Sequence, residues 1–198
     1  MAPPSPSHGK LVLIIGPSGV GKSVILKRLK QNHPALQFPR SATTREKRPG
    51  EGTDLYHFVT EKQFDALLRD NKILEWAQVH GGARYGTLLE EIIPPIEAGK
   101  TVVREVDVQG FVSISKHLLF SIPGATYRLQ SIFILPENKE QLIQRITRRA
   151  PISKEELAHR IKSMEKELAY ADQCDAKILN RNGQLEGTIR EVEGVLFS

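Results

Sequence analysis

Eight consecutive residues, Gly16-Pro17-Ser18-Gly19-Val20-Gly21-Lys22-Ser23, stand between an apolar run, Leu11 to Ile15, and a helix-like segment, Val24 to Lys30. Glycines at this spacing let successive backbone N–H groups turn inward around an oligophosphate. Lys22 supplies a mobile cation between the β- and γ-phosphates, and the Ser23 hydroxyl can hold Mg²⁺ at the N-terminus of the following helix. This is a complete phosphate-binding loop in strand-to-helix context, and it implies a nucleoside triphosphate as ligand. Further on, Ser41-Ala42-Thr43-Thr44-Arg45-Glu46-Lys47-Arg48-Pro49-Gly50-Glu51 and Tyr56-His57-Phe58 bring arginines, an acid and a tyrosine into one short polar stretch. An arginine fork binds phosphate oxygens two at a time, a tyrosine hydroxyl donates a further bond, and a nearby carboxylate holds the guanidiniums in place. That composition suits a second anion site, and it reads equally as a solvated loop with charges of both signs.

The elements that must position these groups are readable from composition and periodicity. With 26% charged and 39% hydrophobic residues, the 198-residue chain reads as a soluble globular unit with a sizeable core and small mobile subdomains. No apolar run approaches the roughly 20 residues that span a membrane. Residues 1–9 read as a disordered tail, rich in Pro and Ser and without an apolar signal core, so a cytoplasmic location is expected. Cys174 is the one cysteine, which excludes an intramolecular disulfide and a multi-cysteine metal site and leaves a structural thiol. The net charge of +5 is spread among acids, without a nucleic-acid motif or interleaved aromatics. Small phosphate-bearing molecules are the expected partners, with no nucleic acid and no membrane, for a monomer or homodimer.

Strands are expected at Lys10–Ile15, Ile73–Val79, Thr101–Val106, Ser131–Leu135 and around Lys177–Leu179. Helices are expected at Ser23–Gln31, Glu61–Asp70 with Thr60 as N-cap, Leu88–Ala98 broken at Pro94 and Pro95, Asn138–Arg149 and Lys154–Tyr170. The alternation predicts an α/β fold, a parallel sheet covered by helices on both faces. In such sheets ligands collect at the carboxyl ends of the strands, where the phosphate loop and Asp107 fall.

The phosphate loop, the S-x-T-T-R-x-x-R-x-G-E stretch with its Y-x-F, Glu75-Trp76-Ala77-Gln78-Val79 before Tyr85-Gly86-Thr87, and Asp107-Val108-Gln109-Gly110 occur in that order. Together with Glu167-Leu168-Ala169-Tyr170-Ala171, these motifs resemble the guanylate kinase family from about Lys10 to Asn180. The resemblance implies a P-loop NTPase-type sheet flanked by helices in a core of residues 10–36 and 100–198. It also implies a mobile GMP-binding subdomain over about 37–90, a lid over about 145–160, and Mg²⁺-dependent transfer of the ATP γ-phosphoryl group to GMP. Carried over, the ATP-binding residues are Gly16, Pro17, Ser18, Gly19, Val20, Gly21, Lys22, Ser23 and Asn180. The GMP phosphate would meet Arg45, Arg48, Tyr56 and Tyr85, with Glu51 bracing the arginine pair. The base would meet Ser41, Glu75, Thr87 and Asp107, which suits guanine because its N1–H and N2–H₂ are donors and its O6 an acceptor. Lys22, Arg45, Arg145, Arg149 and Arg160 would neutralise charge on the transferring group, and Ser23 and Glu105 would hold the metal.

Departures from the family pattern are local. The chain is one residue shorter between Glu51 and Tyr56, with Leu55 before the tyrosine, and one longer between Glu75 and Tyr85. Glu105 replaces the usual aspartate, and Arg149-Ala150-Pro151-Ile152-Ser153 makes a stiffer lid turn. Two other readings share the phosphate loop: a kinase of a sugar phosphate such as ribose 1,5-bisphosphate, and a non-catalytic guanylate-kinase-like interaction module.

Overall fold

Every residue of Lys10–Ile15 is buried, as a run apolar on both sides requires of a strand covered on both faces. The computed structural model describes residues 9–79, 82–121, 125–149 and 153–198, without the side chains of residues 148 and 149. In chain order the elements are β1 (Lys10–Ile15), α1 (Lys22–Asn32), β2 (Ser41–Thr43), β3 (Tyr56–Phe58), α2 (Glu61–Arg69), β4 (Ile73–Gln78), β5 (Arg84–Leu88) and α3 (Leu89–Glu97). There follow β6 (Thr101–Glu105), α4 (Val108–Ser115), β7 (Arg128–Pro136), α5 (Lys139–Arg149), α6 (Lys154–Leu168), a 3₁₀ turn at Ala171–Gln173, β8 (Ala176–Asn180) and α7 (Leu185–Leu196). A parallel four-stranded sheet has the order β6-β1-β7-β8, and a second sheet the order β3-β2-β5-β4. The expected α/β class is therefore found. Among the described residues no helix is long and apolar enough to cross a membrane.

The chain forms two compact units. One comprises Val12–Pro34, Glu105–Phe111 and Gln130–Ser198. Its core is mainly β-branched with one aromatic: Val12, Ile14, Ile132, Phe133 and Ile134 are fully buried. Strands β7 and β8 run parallel with Ile132 opposite Ala176 and Pro136 opposite Asn180, so Asn180 sits at a strand's carboxyl end. Ile25 and Leu29, four residues apart on α1, are fully buried while Val24 on another face is exposed. Cys174 donates to the Tyr170 carbonyl, and burial pushes its thiol up to about 11. That is the inert structural thiol expected.

The other unit comprises Met1–Leu11, Ala35–Arg104 and Val112–Leu129. Here β2 runs parallel to β3 and antiparallel to β5, and β5 pairs antiparallel with β4. The sequence reading left residues 41–58 without strands, because three-residue strands are too short to show a period of two. Helix α2 opens with a reciprocal cap: the Thr60 hydroxyl accepts from the Gln63 N–H, and Gln63 accepts from the Thr60 N–H. It buries Phe64 fully against Ala42 and Leu88, with Ile73, Leu67 and Leu68 packed around. Gly86 leaves room for this ring, since a Cβ there would lie 3.1 Å from both Phe64 Cζ and Ile73 Cγ2.

Two expectations need correction. Helix α3 runs unbroken through Pro94 and Pro95. The prolines remove two N–H donors, but Ile92 and Ile96 are fully buried one turn apart, and bonding resumes from Ala98 N–H to Pro94 O at 3.0 Å and Lys100 N–H to Pro95 O at 2.9 Å. Gly9, counted with the tail, is buried and donates to Ile96 O at 2.7 Å. A Cβ at Gly9 would overlap the Lys100 carbonyl, so this close approach needs glycine. The rest of the expected tail lies outside the described residues.

Phe64→Ala removes the ring on which the second sheet rests. It is expected to cost about 3–5 kcal/mol, read as a lowered urea midpoint for the transition reported by Trp76, whose indole meets Phe64 edge-on at 6.1 Å.

Candidate active site

The phosphate loop leaves β1 at Gly16 and enters α1 through Gly21, its N-cap. Both glycines have positive φ, 146° and 108°, and both are crowded: a Cβ at Gly16 would lie 2.5 Å from Ile134 O, and one at Gly21 2.6 Å from Asn180 Nδ2. Lys22 is 9% exposed. Its ammonium donates to Gly16 O at 2.6 Å and Pro17 O at 3.2 Å and lies 3.7 Å from Glu105 Oε1. Burial lowers its pKa, with the Glu105 carboxylate pulling the other way. Ser23 Oγ donates to Glu105 Oε2 at 3.2 Å. A hydroxyl and a carboxylate in contact are the hard oxygen ligands that Mg²⁺ takes, usually with one or two carboxylates and the rest of its shell from phosphate and water.

Asn180 anchors the loop. Its Nδ2 donates to Val20 O at 2.7 Å, and its Oδ1 accepts from Thr188 Oγ1 at 3.1 Å. Arg145 Nη1 donates to the same Val20 carbonyl at 3.2 Å. Beside them lies a cavity of about 340 Å³ lined by Gly19, Gly21, Val24, Arg145, Asn182 and Leu185. Arg160 pairs with Glu156 at 2.6 Å, one turn away on α6, and lines a second hollow with Ser18, His159 and Glu167. Asp107 is exposed, and its Oδ1 accepts from Gly110 N–H at 2.7 Å, capping α4. The Arg149 side chain and residues 150–152 of the expected lid turn lie outside the described residues.

In the other unit, strand register assembles a polar row. Tyr56 lies opposite Ser41, Ser41 opposite Thr87, and Thr87 opposite Glu75, across β3, β2, β5 and β4. Glu75 reaches the row through an irregularity: Ile73 pairs with Leu88 but Glu75 pairs with Thr87, so one extra residue is accommodated at Leu74. Without that bulge Ile73 and Glu75 would share a face; with it, Ile73 joins the Phe64 cluster and Glu75 accepts a hydrogen bond from Thr87 Oγ1. Arg104 of β6 completes the group, with Nη2 donating to Ser41 Oγ at 3.0 Å and lying 3.7 Å from Glu75 Oε1. The sequence reading passed over Arg104. Its signal was a cation in the apolar run Thr101–Val106.

Two residues along the register, Thr43 opposite Tyr85 leads to the arginine loop. Arg45 donates Nη1 to Glu51 Oε2 at 3.0 Å and Nη2 to Glu51 Oε1 at 2.7 Å, a two-point clamp. Its Nη1 also donates to Glu46 O, and its Nε donates to the Tyr85 hydroxyl oxygen at 3.0 Å. A phenol accepting from arginine has its own proton left to donate. The Arg45 hydrogen bonds hold Glu51 down at about 2, helped by the Arg48 backbone N–H, while the same clamp raises Arg45. Glu51 therefore braces Arg45 through the guanidinium but Arg48 through its backbone, at 3.0 Å. Tyr56 presents its ring to Arg45 at 5.5 Å and meets Tyr85 edge-on at 5.7 Å. Arg84, the first residue of β5, pairs with Asp65 at 2.7 Å and with Glu61 of α2 and lies 4.5 Å from the Phe64 ring.

The guanylate kinase family model matches residues 8–198. Among curated proteins, this chain is 38% identical over 194 residues to the guanylate kinase of Trichormus variabilis, covering 98% of this chain and 92% of that one. With the guanylate kinase of Nocardia farcinica the identity is 39% over 175 residues, covering 87% and 86%. The chain belongs to the guanylate kinase family. Its fold also matches the crystal structure of guanylate kinase from Anaplasma phagocytophilum, with TM-score 0.69 at 24% identity, over 96% of this chain and 86% of that chain.

Of the residues nominated from the guanylate kinase resemblance, Ser41, Glu75 and Thr87 form one contiguous cluster, and Arg45, Glu51, Tyr56 and Tyr85 another. Glu105, Arg145 and Asn180 lie against the phosphate loop, Gly16 to Ser23. Asn180 differs in kind from its neighbours, being 5% exposed with its amide given to the loop itself.

Because Glu51 binds its proton more weakly folded than unfolded, the clamp's stabilisation is complete above the ordinary glutamate range near 4.5 and is lost as pH falls toward 2. A carbon-detected NMR titration should place the Glu51 midpoint near 2 and move it back toward the ordinary range in Arg45→Ala. A midpoint unmoved by that substitution would transfer the effect to the Arg48 N–H.

Proposed function

We propose that this guanylate kinase family member transfers the γ-phosphoryl group of ATP to GMP, and to dGMP, releasing ADP and GDP. The observation that carries the acceptor assignment is the row of Ser41, Thr87 and Glu75 across three adjacent strands. Guanine offers two donors, N1–H and N2–H₂, and one acceptor, O6, along a single edge. A carboxylate and a threonine oxygen suit the donors, and a serine hydroxyl suits the acceptor. Adenine reverses the pattern at positions 1 and 6, and a polar group left facing its own kind costs about 1–3 kcal/mol. Asp107 supplies a further carboxylate to the base.

The acceptor phosphate is held by Arg45 and Arg48 and by the hydroxyls of Tyr56 and Tyr85. The Tyr85 proton is available because Arg45 Nε occupies the oxygen from the other side. On the donor nucleotide, the loop N–H groups cradle the phosphates and Lys22 exchanges the Gly16 and Pro17 carbonyls for β- and γ-phosphate oxygens. Ser23 and Glu105 would hold Mg²⁺, which when bound supplies positive charge to the same oxygens. The GMP phosphate is already ionised at neutral pH, so the transfer needs alignment and charge neutralisation but no general base. Arg145, Arg149 and Arg160 provide the remaining neutralisation. The location that goes with this reading is the cytoplasm.

A coupled ADP-release assay offering GMP, dGMP, AMP, CMP, UMP and ribose 1,5-bisphosphate tests the assignment: turnover confined to GMP and dGMP is expected. Turnover with the sugar phosphate alone would reassign the acceptor. Lys22→Ala should lower kcat by about three powers of ten or more, the scale on which phosphate-neutralising cations act, while circular dichroism stays that of the parent chain.

A further inference from the structure

We propose that Arg104 is a specificity-determining positioning residue: it locks the Ser41 hydroxyl as a hydrogen-bond donor and thereby makes the acceptor site read guanine and refuse adenine. The inference rests on the acceptor assignment above. A serine hydroxyl by itself is a poor discriminator, because it rotates and can donate to O6 of guanine or accept from the N6 amino group of adenine. Arginine biases that choice by taking one of the oxygen's two lone pairs while leaving the proton to be donated. All five of its polar hydrogens are donors and it has no acceptor, so in the 3.0 Å contact between Arg104 Nη2 and Ser41 Oγ the serine oxygen must accept. Its proton is then directed elsewhere.

The other members of the row are fixed by the same logic. Thr87 Oγ1 donates to Glu75 Oε1, which leaves the threonine oxygen's lone pairs and the second carboxylate oxygen as acceptors. The Arg104 and Glu75 side chains are only 12% and 11% exposed, and the guanidinium 3.7 Å from Glu75 keeps that carboxylate from standing as an uncompensated charge. The row therefore offers one donor at Ser41 and acceptors at Thr87 and Glu75. That is the complement of O6, N1–H and N2–H₂, and it meets the amino group of adenine with a donor facing a donor. Arg104 reaches this position because it leaves β6 between Val103, which is buried, and Glu105. An apolar residue there could not orient the serine.

The test compares the parent chain with Arg104→Gln and Arg104→Lys, measuring kcat, KM for GMP, KM for ATP, and the inhibition constant of AMP competing with GMP. Glutamine is two bonds shorter and can both donate and accept, whereas lysine, one bond shorter, only donates, like arginine. In Arg104→Gln the ratio of the AMP inhibition constant to the GMP KM should fall about tenfold or more, the discrimination that a fixed polar group supports, with the KM for ATP changed less than about threefold. Arg104→Lys should retain most of the ratio. An unchanged ratio in Arg104→Gln, or an equal fall in both variants, overturns the proposal. If Arg104→Gln does not fold, Ser41→Ala decides instead: loss of the hydroxyl should reduce the ratio by a similar factor, and an unaltered ratio overturns it. Failure of the parent chain to phosphorylate GMP would defeat the acceptor assignment itself. GMP turnover with an insensitive ratio defeats only the role of Arg104.

Discussion

Asn180 Nδ2 donates to the Val20 carbonyl at 2.7 Å, and through that bond the last strand of the parallel sheet holds the crown of the phosphate loop. The loop needs an external hold because its glycines are bent to positive φ, a conformation the loop's own sequence does little to enforce. A flexible glycine chain would otherwise give up much of its anion affinity to the entropy of ordering. Here that cost is met on folding. Thr188 orients the Asn180 amide from α7, Arg145 adds a second donor to the same carbonyl, and the close approach of Asn180 to Gly21 excludes any side chain at that position. Loop, strand end and terminal helix are thus one hydrogen-bonded assembly.

The acceptor unit solves a related problem with less material. Its sheet has two three-residue strands, so it cannot bury much on either face. The single bulge at Leu74 lets one short strand serve both: Ile73 packs against the Phe64 cluster, and Glu75 turns to the polar row. Helix α2, with its reciprocal cap, and Arg84, with its two carboxylate partners, then brace the apolar side. Packing on one face determines donor and acceptor geometry on the other.

The phosphate loop and the α/β alternation were legible because they are written in long periodic runs and in a glycine pattern with a single physical meaning. Helix α3 was misread at Pro94 and Pro95 because local propensity favoured a break, and tertiary burial of Ile92 and Ile96 outweighed it. Of the second sheet only β4 was expected: β2 and β3 are shorter than the window in which alternation can be counted, and a bulge changes the phase inside β4. Arg104 escaped notice because a lone cation in a β-branched run has no motif. Only the register that sets Ser41 and Glu75 within reach gives it meaning. The partition of Glu51 between the Arg45 guanidinium and the Arg48 backbone likewise depends on loop coordinates that composition does not carry.

The cations of the two units are paired in opposite ways, and the difference suits their tasks. Lys22 is held by two neutral carbonyls, with a carboxylate at 3.7 Å, and burial already disfavours its charge. A polyanion can replace such partners with profit, because charge-assisted bonds are about twice as strong as neutral ones. In the proposed role Lys22 would follow charge as it moves along the triphosphate. Arg45 is instead clamped at two points by Glu51 and capped by Tyr85 and Glu46, which leaves it one N–H, on Nη2, beyond those contacts. It acts by position: a fixed positive charge, and a tyrosine whose proton it has already turned outward. In the proposed transfer, whose barrier is mainly alignment and charge dispersal, a rigid cation for the acceptor phosphate and a mobile one for the triphosphate would divide the work. Neither arrangement would serve in the other's place.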